Sequence, residues 1–289
     1  MKLERHGSLR ADLSLVGISA IWGFTFTAMQ LALRDASPLS FVAARFALAS
    51  LALALIFRGR ALRVTGPGLK YGILLGLCLA SGSVLQTTGL VYTTASKSAF
   101  ITALYVIIVP LICLLVTRVR PRLSSLVAVL IAAVGLAEIT AVQIHGFSFG
   151  DLLTLGCAVA FALHIVVAEI AAPDQDPVLL TFWQALTTAV ASSLVMLVAE
   201  RPHLPLTSWT VVALVVTSLF ATALAFSVQM WAQKETSGTH TALIFAAEPV
   251  FAAVFSVLIQ HERLGIHGLI GGGLILGAIL VSEIGARRG

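Results

Sequence analysis

Long apolar runs follow one another along the whole chain, and charges, prolines or turn residues interrupt them at intervals. A helix that crosses a membrane needs about 20 mostly apolar residues. The longest connection between runs, about residues 58–70, is too short to fold as an independent domain. The pattern predicts ten spanning helices, approximately at residues 13–33, 38–57, 71–92, 96–117, 123–142, 151–171, 178–199, 208–230, 238–259 and 266–285.

The composition excludes a soluble fold. Of the 289 residues, 58% are hydrophobic and only 11% are charged, whereas an ordinary soluble domain is about 25% charged. The formal net charge of +5 would suggest a nucleic-acid partner in a soluble chain. Here the basic residues lie between apolar runs, so we expect the lipid bilayer as partner and no nucleic acid. The sequence thus predicts an all-α integral membrane protein of the cell's inner (cytoplasmic) membrane.

Basic residues predict the orientation of the helices, because Lys and Arg collect in cytoplasmic loops. Loops numbered alternately from a cytoplasmic N-terminus place thirteen basic residues on the cytoplasmic side and four on the other side. The four are Arg34, Lys97, Arg201 and Arg263. We therefore expect both termini to be cytoplasmic.

An internal repeat is visible at a constant offset of 139 residues. The matching pairs include Asp12 with Asp151, Pro38 with Pro177, Ser98 with Ser237 and Pro110 with Pro249. The repeat divides the chain into a first five-helix copy at residues 1–142 and a second at 143–289. Because five is an odd number of spans, the second copy enters the membrane inverted. Inverted repeats are typical of transporters that bind substrate near the membrane midplane.

Five short motifs carry a resemblance to a known family. They are Ala20-Ile21-Trp22-Gly23-Phe24, the stretch from Thr94 to Phe100 that leads to Val109-Pro110, Gly150-Asp151, Glu248-Pro249-Val250 and His261-Glu262-Arg263-Leu264. The chain resembles the drug/metabolite transporter superfamily, in its EamA branch. The resemblance implies a ten-helix fold in which helices 1–4 and 6–9 enclose a central cavity, with helices 5 and 10 at the periphery.

The resemblance and the repeat together predict a secondary transporter and not an enzyme. We expect export of small amphipathic metabolites by alternating access, with amino acids, aromatic ones foremost, as substrates. A drug or sugar-phosphate carrier of the same superfamily is the alternative, and an intramembrane enzyme, a channel or a scaffold is more remote. No phosphate-binding GxxxxGK[ST] loop is present in the sequence. We expect no cofactor and no metal, and a monomer or weak homodimer.

Two charged residues lie deep inside predicted spans. Glu248 lies near the middle of the ninth span, where burying a carboxyl group is costly unless it is partnered, solvated or neutral. It either faces the cavity, taking a proton or a substrate ammonium group, or it is a structural carboxyl bonded to a neighbouring helix. Arg45 lies about 10 Å in from the predicted outer edge of the second span. It either holds a substrate carboxylate at an outer gate, or it extends to the surface or pairs with a helix terminus.

Three further ionisable residues lie in or near predicted spans. His164 and Thr25 match each other in the two copies, and His164 can change its charge near neutral pH. A buried neutral histidine with one hydrogen bond is the alternative interpretation. His240 and Glu169 lie near predicted span ends, so we expect them at the solvated interface.

Polar and aromatic side chains recur on one face of the first, third, fourth and eighth spans. Helix–helix hydrogen bonding explains any single stripe, but four stripes in cavity-forming spans favour a solvated, substrate-binding interior. The predicted cavity residues are Trp22, Thr25, Ser83, Gln86, Ser98, Thr102, Tyr105, His164, Phe226, Gln229, Phe245 and Glu248.

Prolines and glycines inside the spans suggest where the helices bend. Pro110 and Pro249 each remove a helix hydrogen bond and free a carbonyl group about one turn back. With Gly82 and Gly89 they are predicted hinges for alternating access, and Arg45 is the predicted gate residue. Static packing kinks are the alternative for the four hinge positions.

Overall fold

The structure, a computed structural model, describes residues 8–116, 118, 121–141, 148–260 and 265–287. In these ranges the regular elements are helices, which confirms the all-α prediction. The helices are α1 Leu9–Ala32, α2 Pro38–Ala61, α3 Gly66–Leu90, α4 Ala95–Ala103, α5 Tyr105–Val116, α6 Leu123–Ala141, α7 Phe149–Ala171, α8 Pro177–Ala199, α9 Ser208–Val215, α10 Ala225–Ala232, α11 Gly238–Phe245, α12 Glu248–Gln260 and α13 Ile266–Arg287. A short 3₁₀-helix, Ala172–Asp174, follows α7, and a π-helix, Val216–Leu224, joins α9 to α10.

Eight helical segments of the described chain are long and apolar enough to cross a membrane: α1, α2, α3, α4 with α5, α7, α8, α9 to α10, and α11 with α12. The helices α6 and α13 offer shorter apolar stretches, Leu123–Glu138 and Ile266–Ser282. The multi-pass prediction is confirmed, while the count of ten spans and the orientation of the termini stay predictions. Several residues used in those predictions lie outside the described ranges: Lys2, Arg5, Arg120, Arg288 and the motif from His261 to Leu264.

Apolar side chains cover the outside of the bundle and polar ones lie within it. Leu115 is 79% exposed and Val198 is 90% exposed, whereas Gln184, Thr188 and Gln233 are fully buried. A soluble protein shows the opposite arrangement, since unpaired buried polar groups cost free energy and exposed apolar surface is kept small. The distribution matches a helical bundle surrounded by lipid.

Glycines let α3 pack closely against α7 and α8. A Cβ atom placed on Gly72 would collide with Trp183 of α8, and one on Gly82 would collide with the Phe161 ring of α7. Gly89 lies in the same way against the backbone of α7. Small residues at helix contacts allow this approach in membranes. The structure thus gives Gly82 and Gly89 packing contacts within a continuous helix, and their hinge function stays a prediction.

Two of the spanning segments are broken in the middle. The segment α4–α5 breaks at Leu104, and the segment α11–α12 breaks at residues 246–247. Pro249 is the second residue of α12, a position where the missing N–H costs no helix hydrogen bond. Pro110 lies inside α5. Both prolines therefore lie just beyond the breaks.

The helices α6 and α13 pack closely on each other at the side of the bundle. A Cβ atom on Gly135 of α6 would meet the Gly271 carbonyl oxygen of α13. One apolar cluster joins both helices and includes Leu136 and Ile275, each fully buried. Neither helix lines the central cavity described below.

Candidate functional site: a central cavity

A cavity lies among the spanning helices, with an empty volume of about 560 Å³ that includes its opening toward solvent. Seven of the eight membrane-length segments contribute to its wall, and α8 lies behind them. The lining residues are Trp22, Thr25, Phe26, Arg45, Leu79, Ser83, Gln86, Tyr105, Phe161, His164, Ile165, Phe226, Gln229, Phe245 and Glu248. Concave sites lined mostly by apolar side chains, with a few converging polar groups, are typical of small-molecule binding.

Ten of the twelve predicted cavity residues line this cavity, and Ser98 and Thr102 do not. Thr102 lies one layer behind the wall, where its Oγ1 accepts a hydrogen bond from Gln86 Nε2 at 3.2 Å. Ser98 is fully buried in α4. Their predicted spacing to Tyr105 assumed one continuous helix, whereas α4 ends at Ala103 and Tyr105 begins α5. The break changes the face that the two halves present.

Arg45 projects from α2 into the buried interior and lines the cavity. Its Nε donates a hydrogen bond to Thr222 Oγ1 at 2.9 Å, and its Nη1 lies 3.7 Å from Met29 Sδ. The guanidinium carbon lies 5.1 Å from the centre of the Phe46 ring. Arg45 therefore neither extends to the surface nor pairs with a helix terminus. The predicted gate residue is part of the cavity wall.

Glu248 begins α12, directly after the break between α11 and α12, and is 6% exposed. Its Oε2 accepts a hydrogen bond from the Tyr105 hydroxyl at 3.2 Å. Within the described part of the chain, no ion pair within 4.0 Å joins Glu248 to Arg45. The cavity wall thus carries a carboxyl group and a guanidinium that do not neutralise each other directly.

Aromatic rings form one side of the cavity. The Trp22 ring lies 5.4 Å from that of Phe226 and 4.8 Å from that of Phe245, measured between centroids. The Trp22 indole N–H donates a hydrogen bond to the Ala221 carbonyl oxygen at 2.8 Å. The rings are inclined to one another by 48° and 71°, so the cluster offers aromatic faces and edges to a ligand, with the indole held in a defined orientation.

His164 combines the two interpretations left open by the sequence. Its Nε2–H donates a hydrogen bond to Gln184 Oε1 of α8 at 2.7 Å, as expected of a buried neutral histidine. Its ring also lines the cavity and lies 5.4 Å from the Phe226 ring. Gln184 is itself fully buried behind the wall, so it supports His164 without lining the cavity.

A chain of amides holds Gln229 in the wall. Its Nε2 donates to Gln233 Oε1 at 2.9 Å, and Gln233 Nε2 donates to the Ile165 carbonyl oxygen at 3.1 Å. Buried side chains joined in such a hydrogen-bonded network hold one another in a fixed orientation. The polar stripe that the sequence shows along the eighth span is therefore partly cavity lining and partly a bridge to α7.

Four apolar residues of the wall are missing from the sequence prediction. They are Phe26, Leu79, Phe161 and Ile165. Buried apolar side chains are ordinary in a membrane bundle, so nothing in their type marks them as cavity residues. Two of them carry a weak signal: Phe161 lies one turn before His164 on the same helix, and Phe26 shares a helix face with Trp22 and Thr25.

Two hydrogen-bonded acid–base pairs lie toward the ends of the bundle. Asp151 accepts from Lys97 Nζ at 2.6 Å, from the Thr93 hydroxyl at 2.8 Å and from the Ser148 backbone N–H at 2.7 Å. Asp12 lies 3.1 Å from His240 Nε2. Lys97 is the third residue of α4, and His240 is the third residue of α11.

Two predicted interfacial residues are in fact buried. His240 is 1% exposed, because α1 and α13 cover it, and its Nδ1 lies 3.5 Å from Ser282 Oγ. Glu169 is 9% exposed and accepts a hydrogen bond from Cys113 Sγ at 3.1 Å. Distance from a span end along the sequence does not report how neighbouring helices cover that end. None of the three cysteines forms a disulfide in the described structure.

The apolar exterior, the eight membrane-length segments of the described chain and the internal cavity together indicate an α-helical, multi-pass membrane protein. The model of the EamA-like transporter family matches the chain twice, over residues 9–141 and 148–283. The chain therefore belongs to the EamA-like transporter family and is a membrane transporter.

Individual proteins agree with this assignment. A protein of Archaeoglobus fulgidus described as an uncharacterized transporter is 33% identical over 276 residues, which are 96% of this chain and 86% of the relative. The uncharacterized transporter YoaV of Bacillus subtilis is 23% identical over 283 residues, 94% of each chain. One crystal structure has a TM-score of 0.77 with 21% identity and covers 95% of this chain and 97% of its own, which supports the fold alone.

Proposed function

We propose that the protein is a secondary transporter that exports small zwitterionic metabolites, with amino acids, aromatic ones foremost, as its substrates. One observation carries the proposal: Arg45 and Glu248 line the same buried cavity without pairing with each other. Buried charges in membranes are costly and are typically functional. A ligand that brings a carboxylate to Arg45 and an ammonium group to Glu248 compensates both at once.

The remaining hydrogen-bond capacity of the two groups supports this arrangement. Thr222 occupies Nε of Arg45, so the terminal nitrogens of the guanidinium remain for a carboxylate. Tyr105 occupies one oxygen of Glu248, so Oε1 remains for an ammonium group. A phosphate-bearing substrate is disfavoured, because Glu248 adds a like charge to a wall with one guanidinium.

The aromatic side of the cavity supports a preference for flat side chains. Trp22, Phe226 and Phe245 form a cluster next to the polar groups. Stacked or edge-on aromatic pairs add about 0.5–1.5 kcal/mol beyond the burial of their area. A phenyl or indole side chain therefore gains more here than an aliphatic side chain of similar volume.

The proposed mechanism is alternating access between two inverted five-helix repeats, at residues 1–142 and 143–289, with ten spans and both termini on the cytoplasmic side of the inner membrane. The double match to one family model supports the repeat. The broken segments α4–α5 and α11–α12 support bending next to the cavity, since interrupted helices line the sites of many transporters. Pro110 and Pro249 are the proposed hinges.

Counterflow in proteoliposomes tests the proposal. The panel is L-phenylalanine, L-leucine, phenethylamine without a carboxylate, 3-phenylpropionate without an ammonium group, a sugar phosphate and a cationic dye. We expect L-phenylalanine to exchange fastest, and each truncated analogue to compete at least about tenfold more weakly, as for a lost charged hydrogen bond.

Three variants assign the groups. Arg45→Gln should weaken the exchange of L-phenylalanine more than Arg45→Lys does. It should leave competition by phenethylamine unchanged. Glu248→Gln should weaken the exchange of L-phenylalanine and leave competition by 3-phenylpropionate unchanged. Exchange of the dye or the sugar phosphate without exchange of amino acids would refute the proposed substrate class and leave the family assignment intact.

A further inference from the structure

The membrane segment that runs from α9 to α10 changes its helix type next to the cavity. Residues Val216–Leu224 form a π-helix, flanked by the α-helices α9 and α10. A π-helix is rare, and it frequently lies at a functional site. Its wider turn changes which residues face the neighbouring helices. Two consecutive residues of this π-helix, Ala221 and Thr222, contact two different cavity residues.

Thr222 holds the guanidinium of Arg45. Its Oγ1 accepts from Arg45 Nε at 2.9 Å, and Thr222 is fully buried. The other neighbours of the guanidinium are the Met29 sulfur at 3.7 Å and the Phe46 ring at 5.1 Å, which are weak or non-directional contacts. An arginine side chain is long and flexible, and one directional hydrogen bond at Nε therefore determines where its terminal nitrogens point.

Ala221 holds the indole of Trp22. Its carbonyl oxygen accepts from Trp22 Nε1 at 2.8 Å. Trp22 belongs to α1 and Arg45 to α2, so adjacent residues of one π-helix orient side chains from two other helices. The distance between the guanidinium and the indole ring is therefore determined by a single short segment.

We propose that the π-helix Val216–Leu224 is the positioning element of the cavity. Thr222 aims the Arg45 guanidinium at the anionic group of the ligand, and the Ala221 carbonyl orients the Trp22 indole for the flat part of the same ligand. The inference rests on the proposed function in that it takes the cavity as the substrate site. Thr222 and Ala221 are positioning residues, since they act through Arg45 and Trp22.

Substitutions at Thr222 provide the main test. Thr222→Val keeps the shape and removes the hydrogen-bond acceptor, and Thr222→Ser keeps the hydroxyl group. Thr217→Val is the matched control, because Thr217 is an equally buried threonine of the same π-helix whose hydroxyl donates to the Leu214 carbonyl oxygen and does not contact Arg45. We expect Thr222→Val to raise the KM for the substrate on the order of tenfold, as for a lost hydrogen bond to a charged group. The maximal rate should stay within about twofold of the wild-type rate.

The control variants separate positioning from packing. Thr222→Ser and Thr217→Val should keep the KM within about twofold of the wild type. Competition by phenethylamine, which has no carboxylate, should be the same in Thr222→Val as in the wild type. Equal losses in Thr222→Val and Thr222→Ser, or an equal loss of phenethylamine competition, would overturn the inference and indicate a packing role.

Trp22→Phe tests the second contact. This variant keeps an aromatic ring but removes the N–H that reaches Ala221. We expect the preference for L-phenylalanine over L-leucine to fall severalfold, because the ring loses its fixed orientation. An unchanged preference would overturn the part of the inference that concerns Ala221.

The outcomes distinguish this inference from the proposed function. If amino acids are not exchanged but another anionic solute of the panel is, the proposed substrate is wrong, and the Thr222 series measured with that solute still decides the inference. If amino acids are exchanged and Thr222→Val behaves as the wild type, only the inference fails. If no anionic solute is exchanged, both are overturned.

Discussion

Removal of the lysine from the Lys97–Asp151 pair should destabilise the protein far more than removal of a comparable base at the surface. The Asp151 side chain is fully buried and that of Lys97 is 12% exposed, with 2.6 Å between Nζ and Oδ2. The Arg60–Asp176 pair is similarly short at 3.0 Å, but its side chains are 56% and 32% exposed. The two pairs therefore differ chiefly in burial.

The contacts of Asp151 give the magnitude. Removing one partner of a buried pair costs about 3–5 kcal/mol, since it leaves an uncompensated charge. In Lys97→Met, Asp151 keeps the Thr93 hydroxyl and the Ser148 N–H, so we expect the cost to fall to about 2–3 kcal/mol. Arg60→Met should cost about 0–1 kcal/mol, as for an exposed pair.

The assay is reversible unfolding by SDS in mixed micelles, with the free energy of unfolding measured for both variants. The double variant Lys97→Met with Asp151→Asn should recover part of the loss, because it leaves no buried carboxylate unpaired. If Lys97→Met costs no more than Arg60→Met, or if the double variant is as unstable as the sum of the two single variants, burial is not the reason for the effect.

Three further predictions test packing, the site and the orientation. Gly76→Val should abolish folding, because its Cβ would meet the Gln184 carbonyl and Thr187 of α8. Gly277→Val, whose Cβ would lie in open space, should still elute as a folded protein in size-exclusion chromatography. Equal elution profiles of the two variants would contradict the packing argument. Tyr105→Phe should weaken L-phenylalanine exchange, measured by counterflow, about threefold to tenfold through one lost hydrogen bond. Exchange at the wild-type rate would show that the Tyr105 hydroxyl does not contribute to substrate binding. In a cysteine-free background, Lys70→Cys and Arg201→Cys should react with an impermeant maleimide from opposite sides of the membrane, and labelling from one side would refute the predicted orientation.

The sequence predicts the positions of the helices well, because the physics of the bilayer acts on each helix separately. The second predicted span begins at Pro38 and the tenth at Ile266, and α2 and α13 begin at the same residues. A proline at the first helical position marks a start, and a run of apolar residues marks the length. Such signals are local and need no knowledge of neighbouring helices.

The polar part of the cavity is predictable for a related reason. A polar group inside an apolar run is costly, so each one indicates a partner or solvent. Glu248, Arg45, His164 and Gln86 stand out for this reason and lie in the wall. Leu79 does not stand out, because an apolar residue is normal on every face of a membrane helix.

Changes of helix geometry leave little trace in the sequence. The π-helix has the sequence VTSLFATAL, without proline or glycine, and the break at Leu104 also lacks a local signal. Both depend on contacts between helices that are distant in sequence. The position of Ser98 and Thr102 outside the cavity wall follows from such a break, and the burial of His240 follows from α1 and α13 lying over it.

The pair α6 and α13 has a mechanical consequence. Each is the last helix of one of the two family matches, and the two pack directly on each other through Gly135, Gly271 and an apolar cluster. Neither touches the cavity, so a bound solute does not compete for this contact. The two matched regions are thus joined by a contact that lies outside the reach of a ligand in the cavity.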